Sequence, residues 1–139
     1  MLDTRIFLPA LAMAGLTFVV WLRMYFARIG EMKRERVHPQ AVATSVQMAA
    51  RLKDTRAADN FRNLFELPVL FYLALTIAAL TGQVTTLVLI LAWLFVGFRV
   101  LHSAIHCGYN KVVHRFQAYL AGGIALWILW GVLGFGLLH

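Results

Sequence analysis

Four long hydrophobic stretches run through this chain of 139 residues, and charged or amide side chains border or interrupt them. The runs that matter most are Arg62-Asn63-Leu64-Phe65-Glu66-Leu67-Pro68, Arg99-Val100-Leu101-His102 and Arg115-Phe116-Gln117-Ala118-Tyr119. About 20 apolar residues in helical form cross a ~30 Å hydrocarbon core. In lipid every backbone polar group must be satisfied internally, which leaves helices and closed barrels as the only spanning structures. The pattern predicts an all-α protein, an integral membrane four-helix bundle in up-down order. A charge at membrane depth costs ~2.5–3.5 kcal/mol on insertion scales, so each such residue is a candidate functional group.

Composition supports this reading. Hydrophobic residues make up 61% of the chain and charged residues 14%, where soluble domains carry ~25% charged residues; mean hydropathy is +0.74. The net charge of +7 is concentrated, with Arg28, Lys33, Arg34, Arg36, Arg51, Lys53, Arg56 and Arg62 all between the first two apolar segments. No nucleic-acid recognition motif accompanies that density. Flanked by apolar segments, it reads as the positive-inside signal, reinforced by attraction to anionic lipid. A lone cysteine, Cys107, rules out an intramolecular disulfide.

A single domain over residues 1–139 is expected, with spans at about residues 6–28, 57–80, 84–106 and 114–138. The motifs Ala10-Leu11-Ala12 and Ala12-Met13-Ala14 resemble signal-peptide cleavage patterns. Against that reading, the positive charge follows the apolar stretch instead of preceding it. Residues 41–53 are rich in helix formers and are expected to begin the second helix or to lie on the membrane surface. Thr81-Gly82-Gln83 predicts a tight hairpin between spans two and three, and Cys107-Gly108-Tyr109-Asn110-Lys111 a short second connection. Gly131, Gly134 and Gly136 are expected to form a packing face on the last span. Lys111 and Arg115 join the basic first connection in placing both loops, and the charged cluster, on the cytoplasmic side, with both termini outside.

Residues three and four apart share a helix face. That spacing groups Asp59, Arg62, Asn63 and Glu66 on the second helix, where the simplest reading is an Arg62–Glu66 pair. It groups Arg99, His102 and His106 on the third helix, and Arg115 with Tyr119 on the fourth. His102, His106, Cys107 and His114 match no closed or catalytic metal spacing, so no metal is expected. Three arginines facing one leaflet repel one another unless an anion joins them, and Glu66 can receive one cationic group. Arginine suits carboxylates because its planar fork pairs bidentately and stays charged. The ligand these signs describe is small, polar and net anionic.

In these motifs the sequence resembles the membrane-associated proteins in eicosanoid and glutathione metabolism (MAPEG family), in the pattern of its bacterial microsomal glutathione transferase-like members. The features are Arg62-Asn63-x-x-Glu66-x-Pro68, Arg99-x-x-His102 and Arg115-x-x-x-Tyr119, together with four spans, a basic first loop and a very short second connection. The resemblance implies a homotrimer with glutathione as cosubstrate, bound between neighbouring subunits near the cytoplasmic face. It implies that Arg62, Asn63 and Glu66 hold the peptide's charged ends. Arg99 and His102 would line the same pocket, Arg115 and Tyr119 would be catalytic beside the thiol, and Arg28 would contribute from the first helix. The chain departs from the pattern at His106, where some members have tyrosine, at Phe116, where they have a small residue, and at Asp59-Asn60, where an arginine is common.

The resemblance thus implies a glutathione-dependent transferase or peroxidase acting on lipophilic electrophiles or lipid hydroperoxides that arrive from the bilayer. A second function is a non-catalytic lipid-binding or scaffold protein, as in one branch of the family; a third is a small transporter subunit. Retained Arg and Glu positions speak against the second. The absence of discontinuous helices or inverted repeats in the sequence pattern speaks against the third.

Overall fold

The computed structural model describes residues 2–139, and the described residues form six α-helices joined by short connections. After a 3₁₀ turn at Thr4–Ile6 come α1 (Phe7–Arg34), α2 (Ser45–Arg51), α3 (Arg56–Asn63), α4 (Leu67–Leu80), α5 (Thr86–Cys107) and α6 (Val112–Leu138). Four segments are long and apolar enough to cross a membrane: Thr4–Arg34, Arg56–Leu80, Thr86–Cys107 and Val112–Leu138.

The four spans alternate in direction, with α3 and α4 together making the second. The 3₁₀ turn before α1 packs against α4 and α5, while the other end of α1 packs on α3. Glu31 fixes that second contact: its buried carboxylate accepts from the backbone N–H groups of Lys53 at 2.7 Å and Asp54 at 3.3 Å. Gly82, with φ +70°, turns the chain between α4 and α5; Asn110, with φ +52°, does so between α5 and α6. These are the tight hairpin and the short second connection that the sequence predicts.

α1 runs 28 residues, about 42 Å at 1.5 Å per residue, so it overshoots a ~30 Å core. Its polar end carries Arg28 to Arg34. The following connection does not feed into the second span. Residues 41–53 instead give the end of a 3₁₀ turn and a separate seven-residue helix, α2, closed at its start by a reciprocal Thr44–Gln47 capping box. Extended backbone at Leu52 then ends α2, because the Glu31 carboxylate captures the next two N–H groups.

The core is apolar and aromatic: Phe71 stacks on Phe95 with centroids 4.5 Å apart, among Ile6, Met13, Leu75, Leu126, Leu129 and Leu133. The closest helix approach is α5 on α6. A Cβ at Gly122 would sit 3.3 Å from the Phe98 Cβ, and one at Gly123 would sit 3.6 Å from Leu67. The packing glycines within the subunit are therefore Gly122 and Gly123. Gly131 and Gly134 face open space, and Gly136 meets only the Gln83 side chain. Large apolar residues such as Phe18, Leu94, Trp127 and Phe135 cover the outside, as a lipid-facing surface requires.

Candidate functional site

The second span is not one continuous helix, which corrects the sequence expectation that no spanning helix is discontinuous. Proline lacks the N–H that would bond to the carbonyl four residues back, and its ring clashes with that carbonyl. Pro68 does this to Leu64, and the helix stops at Asn63 and restarts at Leu67. Glu66, at φ −94° and ψ −106°, is not helical. The i, i+4 geometry assumed for Arg62 and Glu66 is therefore lost, and the two form no ion pair. Arg62 instead reaches Asp59 at 4.0 Å and leaves 77% of its side chain exposed.

The break opens a cavity of about 250 Å³ bounded by the α3–α4 junction, α5 and α6. Asn63, Glu66, His102, Arg115 and Tyr119 line it, and Val112 and Phe116 add apolar wall. It lies at the bundle end that carries the basic connection. Five of the eight sequence-expected site residues thus share one cavity.

Arg99 stands behind that wall. It is the largest fully buried side chain among the described residues. Its Nη2 donates to the Asn63 carbonyl at 3.3 Å, and its guanidinium lies 5.5 Å from the centroid of the Tyr119 ring, within cation–π range. Nε and Nη1 have no partner. One residue thus holds the backbone at the helix break and the ring of Tyr119.

His102 is oriented by the Arg115 main chain, with Nδ1 3.1 Å from its carbonyl oxygen. A carbonyl only accepts, so Nδ1 carries the proton and Nε2 keeps its lone pair. The ring sits 5.6 Å from that of Tyr119 and 5.5 Å from that of His106. Arg115 is held from the turn before α6, where its Nη1 donates to Asn110 Oδ1 at 2.8 Å. Asn110 is a positioning residue the sequence reading missed. The signal was available, since asparagine is a residue that readily adopts the left-handed conformation of a tight turn.

Arg28 and Arg62 lie elsewhere. They share a groove of about 220 Å³ between α1, α2 and α3, with Asp54 and Asp59 also on its walls. Here the sequence expectation of one continuous cluster is corrected: in the single chain the cationic residues divide between two cavities. Arg56 fixes this side by donating to Asp54 at 2.9 Å, which holds the Asp54 carboxyl below the usual carboxylate range.

A third polar grouping was also missed. Asn60, fully buried, accepts from Ser103 Oγ at 3.2 Å and donates to Cys107 Sγ at 3.5 Å. Two guanidiniums close the end of α5: Arg23 donates to the Cys107 carbonyl at 3.0 Å, and Arg56 to the Gly108 carbonyl at 2.7 Å. Carbonyls at a helix C-terminus lack intrahelical donors and carry partial negative charge, so cations stabilise them. Beside this cap, an apolar cavity of about 360 Å³ opens between α1 and α5.

The first cavity therefore offers a carboxylate, a guanidinium, an amide, an unprotonated imidazole nitrogen and a phenol around one small volume. A family model described as the MAPEG family matches residues 6–135, which takes in every one of these groups. No match was found among curated proteins or among solved structures.

Proposed function

The chain belongs to the MAPEG family, and from that premise we propose a membrane-embedded, glutathione-dependent transferase or peroxidase acting on lipophilic electrophiles or lipid hydroperoxides. One observation carries the reading: Arg115 and Tyr119, one turn apart on α6, face the same cavity as Glu66 and Asn63. Glu66 would receive the ammonium group of the tripeptide and Asn63 its polar backbone, leaving the thiol toward Arg115 and Tyr119.

A free thiol has a pKa near ~8.5, and only its thiolate is a good nucleophile. Arg115 favours the charged form by proximity, and the Tyr119 hydroxyl donates to it. Arg99 acts through Tyr119 and Asn63, holding both in place. Val112 and Phe116 form the apolar side toward which a lipid-soluble substrate would approach.

Arg28 and Arg62 remain anion-binding candidates in the second groove. A homotrimer reconciles the two cavities, because the groove of one subunit can then complete the cavity of its neighbour. On the same reading the site faces the cytoplasm, beside the basic connection. The apolar cavity between α1 and α5 is the feature that favours a non-catalytic, lipid-binding protein as the second reading.

The deciding experiment pairs thermal shift with conjugation. Glutathione is expected to raise the melting temperature of the purified protein in detergent. Arg115→Ala is expected to abolish conjugation of an aromatic electrophile without loss of oligomer. Normal turnover in that variant removes Arg115 from the chemistry. No stabilisation by glutathione, with lipid bound, favours the second reading.

A further inference from the structure

The cavity of about 360 Å³ between α1 and α5 is a groove with an apolar length and a cationic end. α1 lines it from Leu16 to Arg23 and α5 from Val100 to Gly108, in each case at positions three and four apart that share one helix face. Seven residues at 1.5 Å each make it roughly 10 Å long, parallel to the helix axes. Val19 and Val100 on its walls are exposed, while Val20, Ser103 and Cys107 are buried. The small side chains of Ser103 and Ala104 leave the space open. The Ser103 hydroxyl and the Cys107 thiol are both tied to Asn60, so the length of the groove is suited to hydrocarbon.

The end is placed by the length of α5. Its 22 residues rise about 33 Å, which matches a ~30 Å hydrocarbon core. The last carbonyls of α5 therefore stand at headgroup depth, where Arg23 and Arg56 reach them at 3.0 and 2.7 Å. Trp21 and Tyr25, exposed before and after Arg23 with ring centroids 5.9 Å apart, mark the same level, since such rings gather at membrane–water interfaces. Asp54, the carboxylate at this end, is already gripped by Arg56 through two bonds of 2.9 Å. Arg23 is exposed, commits Nη2 to a neutral carbonyl and forms no ion pair among the described residues.

A neighbouring subunit that joins the first cavity to the second groove meets other faces of both helices. At 100° per residue, the α5 stripe lies roughly 120° round from Arg99, His102 and His106, and the α1 stripe roughly 130° round from Arg28. We infer that this groove holds one acyl chain of an anionic phospholipid from the leaflet at the basic end, with the lipid phosphate on Arg23. Charge complementarity selects the occupant. An anionic headgroup supplies the counter-ion that Arg23 lacks, and guanidinium pairs well with phosphate, whereas a zwitterionic headgroup brings its own cation to the same oxygens. The chain covers apolar walls that a soluble anion would leave bare. The site goes beyond both readings of function, since lipid is held there whether or not the first cavity binds a thiol.

The test is native mass spectrometry of the delipidated full-length protein, titrated in detergent with phosphatidylglycerol and with phosphatidylcholine of the same chains. One phosphatidylglycerol per subunit is expected to bind at least ~5-fold tighter than phosphatidylcholine, the worth of one arginine near an anionic headgroup. Arg23→Gln should bring the two lipids level, and Arg23→Lys should keep the preference. Ala104→Phe, which fills the groove from α5, should weaken both lipids at least ~10-fold, the equivalent of about two methylenes kept from apolar contact. That variant leaves every hydrogen bond at this end in place, so it decides even where Arg23→Gln lowers stability. Equal affinity for the two lipids in the parent protein, or a preference that survives Arg23→Gln, overturns the headgroup assignment. Undiminished binding in Ala104→Phe overturns the groove, and displacement of the lipid by an aromatic electrophile makes it a substrate pocket instead. A parent protein that binds the lipid but is not stabilised by glutathione loses the thiol reading and keeps this site.

Discussion

Replacing Arg99 by methionine should separate stability from function. The guanidinium is fully buried and makes one hydrogen bond of 3.3 Å, while Nε and Nη1 are unpartnered. Each orphaned donor costs about 1–3 kcal/mol of desolvation. Against that stand one charged hydrogen bond, about 1.5–3 kcal/mol, and the contact with Tyr119, about 0.5–2 kcal/mol. The two sides nearly cancel. Methionine fills much of the same space and has no donor to orphan, and buried charges are often replaceable by well-packed apolar residues at no loss. Arg99→Met should therefore lie within about 2 kcal/mol of the parent protein, or within roughly 8 °C in Tm at about 2–4 °C per kcal/mol. Binding should behave otherwise, because the Asn63 backbone and the Tyr119 ring both lose their anchor. The assay is a pair of thermal melts in detergent, with and without glutathione. The variant should melt near the parent without ligand and lose most of the ligand-induced shift. A far larger fall in the ligand-free Tm would refute the reasoning, since it would mean that Arg99 is a net stabiliser. A full ligand-induced shift would refute its positioning role.

Pro68→Ala restores the N–H and removes the clash at Leu64, so α3 and α4 should fuse into one helix. Circular dichroism should show added helix while the glutathione-induced Tm shift disappears, as Glu66 rotates out of the cavity; an unchanged shift would show that the break does not depend on the proline. Gly122→Val places methyl groups against Phe98 and the Arg99 stem, and overpacking of this kind costs about 1–3 kcal/mol, readable as a lowered Tm. The Asp54–Arg56 pair predicts a pH dependence. With the Asp54 carboxyl depressed by its bond from Arg56, the stability it lends is complete above the ordinary carboxylate pKa and is lost as pH falls through the lowered value. Because Asp54 and Arg56 are 40% and 42% exposed, solvent screening keeps the effect small. Melts across the acid range should show a slope that Asp54→Asn flattens, and identical profiles would remove the pair from the stability of this end of the bundle.

Much of the molecule was legible in one dimension. The number of apolar helices, the Gly82 hairpin, the short turn before α6 and the shared face of Arg115 and Tyr119 all follow from hydrophobic length and helical spacing. These are local properties of the chain. The reading erred where it extended helical spacing across Pro68, because it treated the proline as tolerated within a spanning helix. The same error joined Arg62 to Glu66. Arg99 showed the opposite limit. Its place on a helix face was readable, but whether it lines a cavity or props one depends on Asn63 and Tyr119, which come from other helices.

Sequence alone determined that this chain forms apolar helices with charges gathered at one end, since composition and periodicity are properties of neighbours along the chain. Only the tertiary structure decided how those charges divide. It put Glu66, His102, Arg115 and Tyr119 around one cavity and Arg28 with Arg62 around another. It also put Asp59, a departure from the resembled pattern, on the wall of the second cavity and buried His106, another, against His102. The physical reason is that burial and pairing are settled by contacts between helices: Glu31 drawing the first connection back, Asn60 joining α3 to α5, and Gly122 letting α6 close on Arg99.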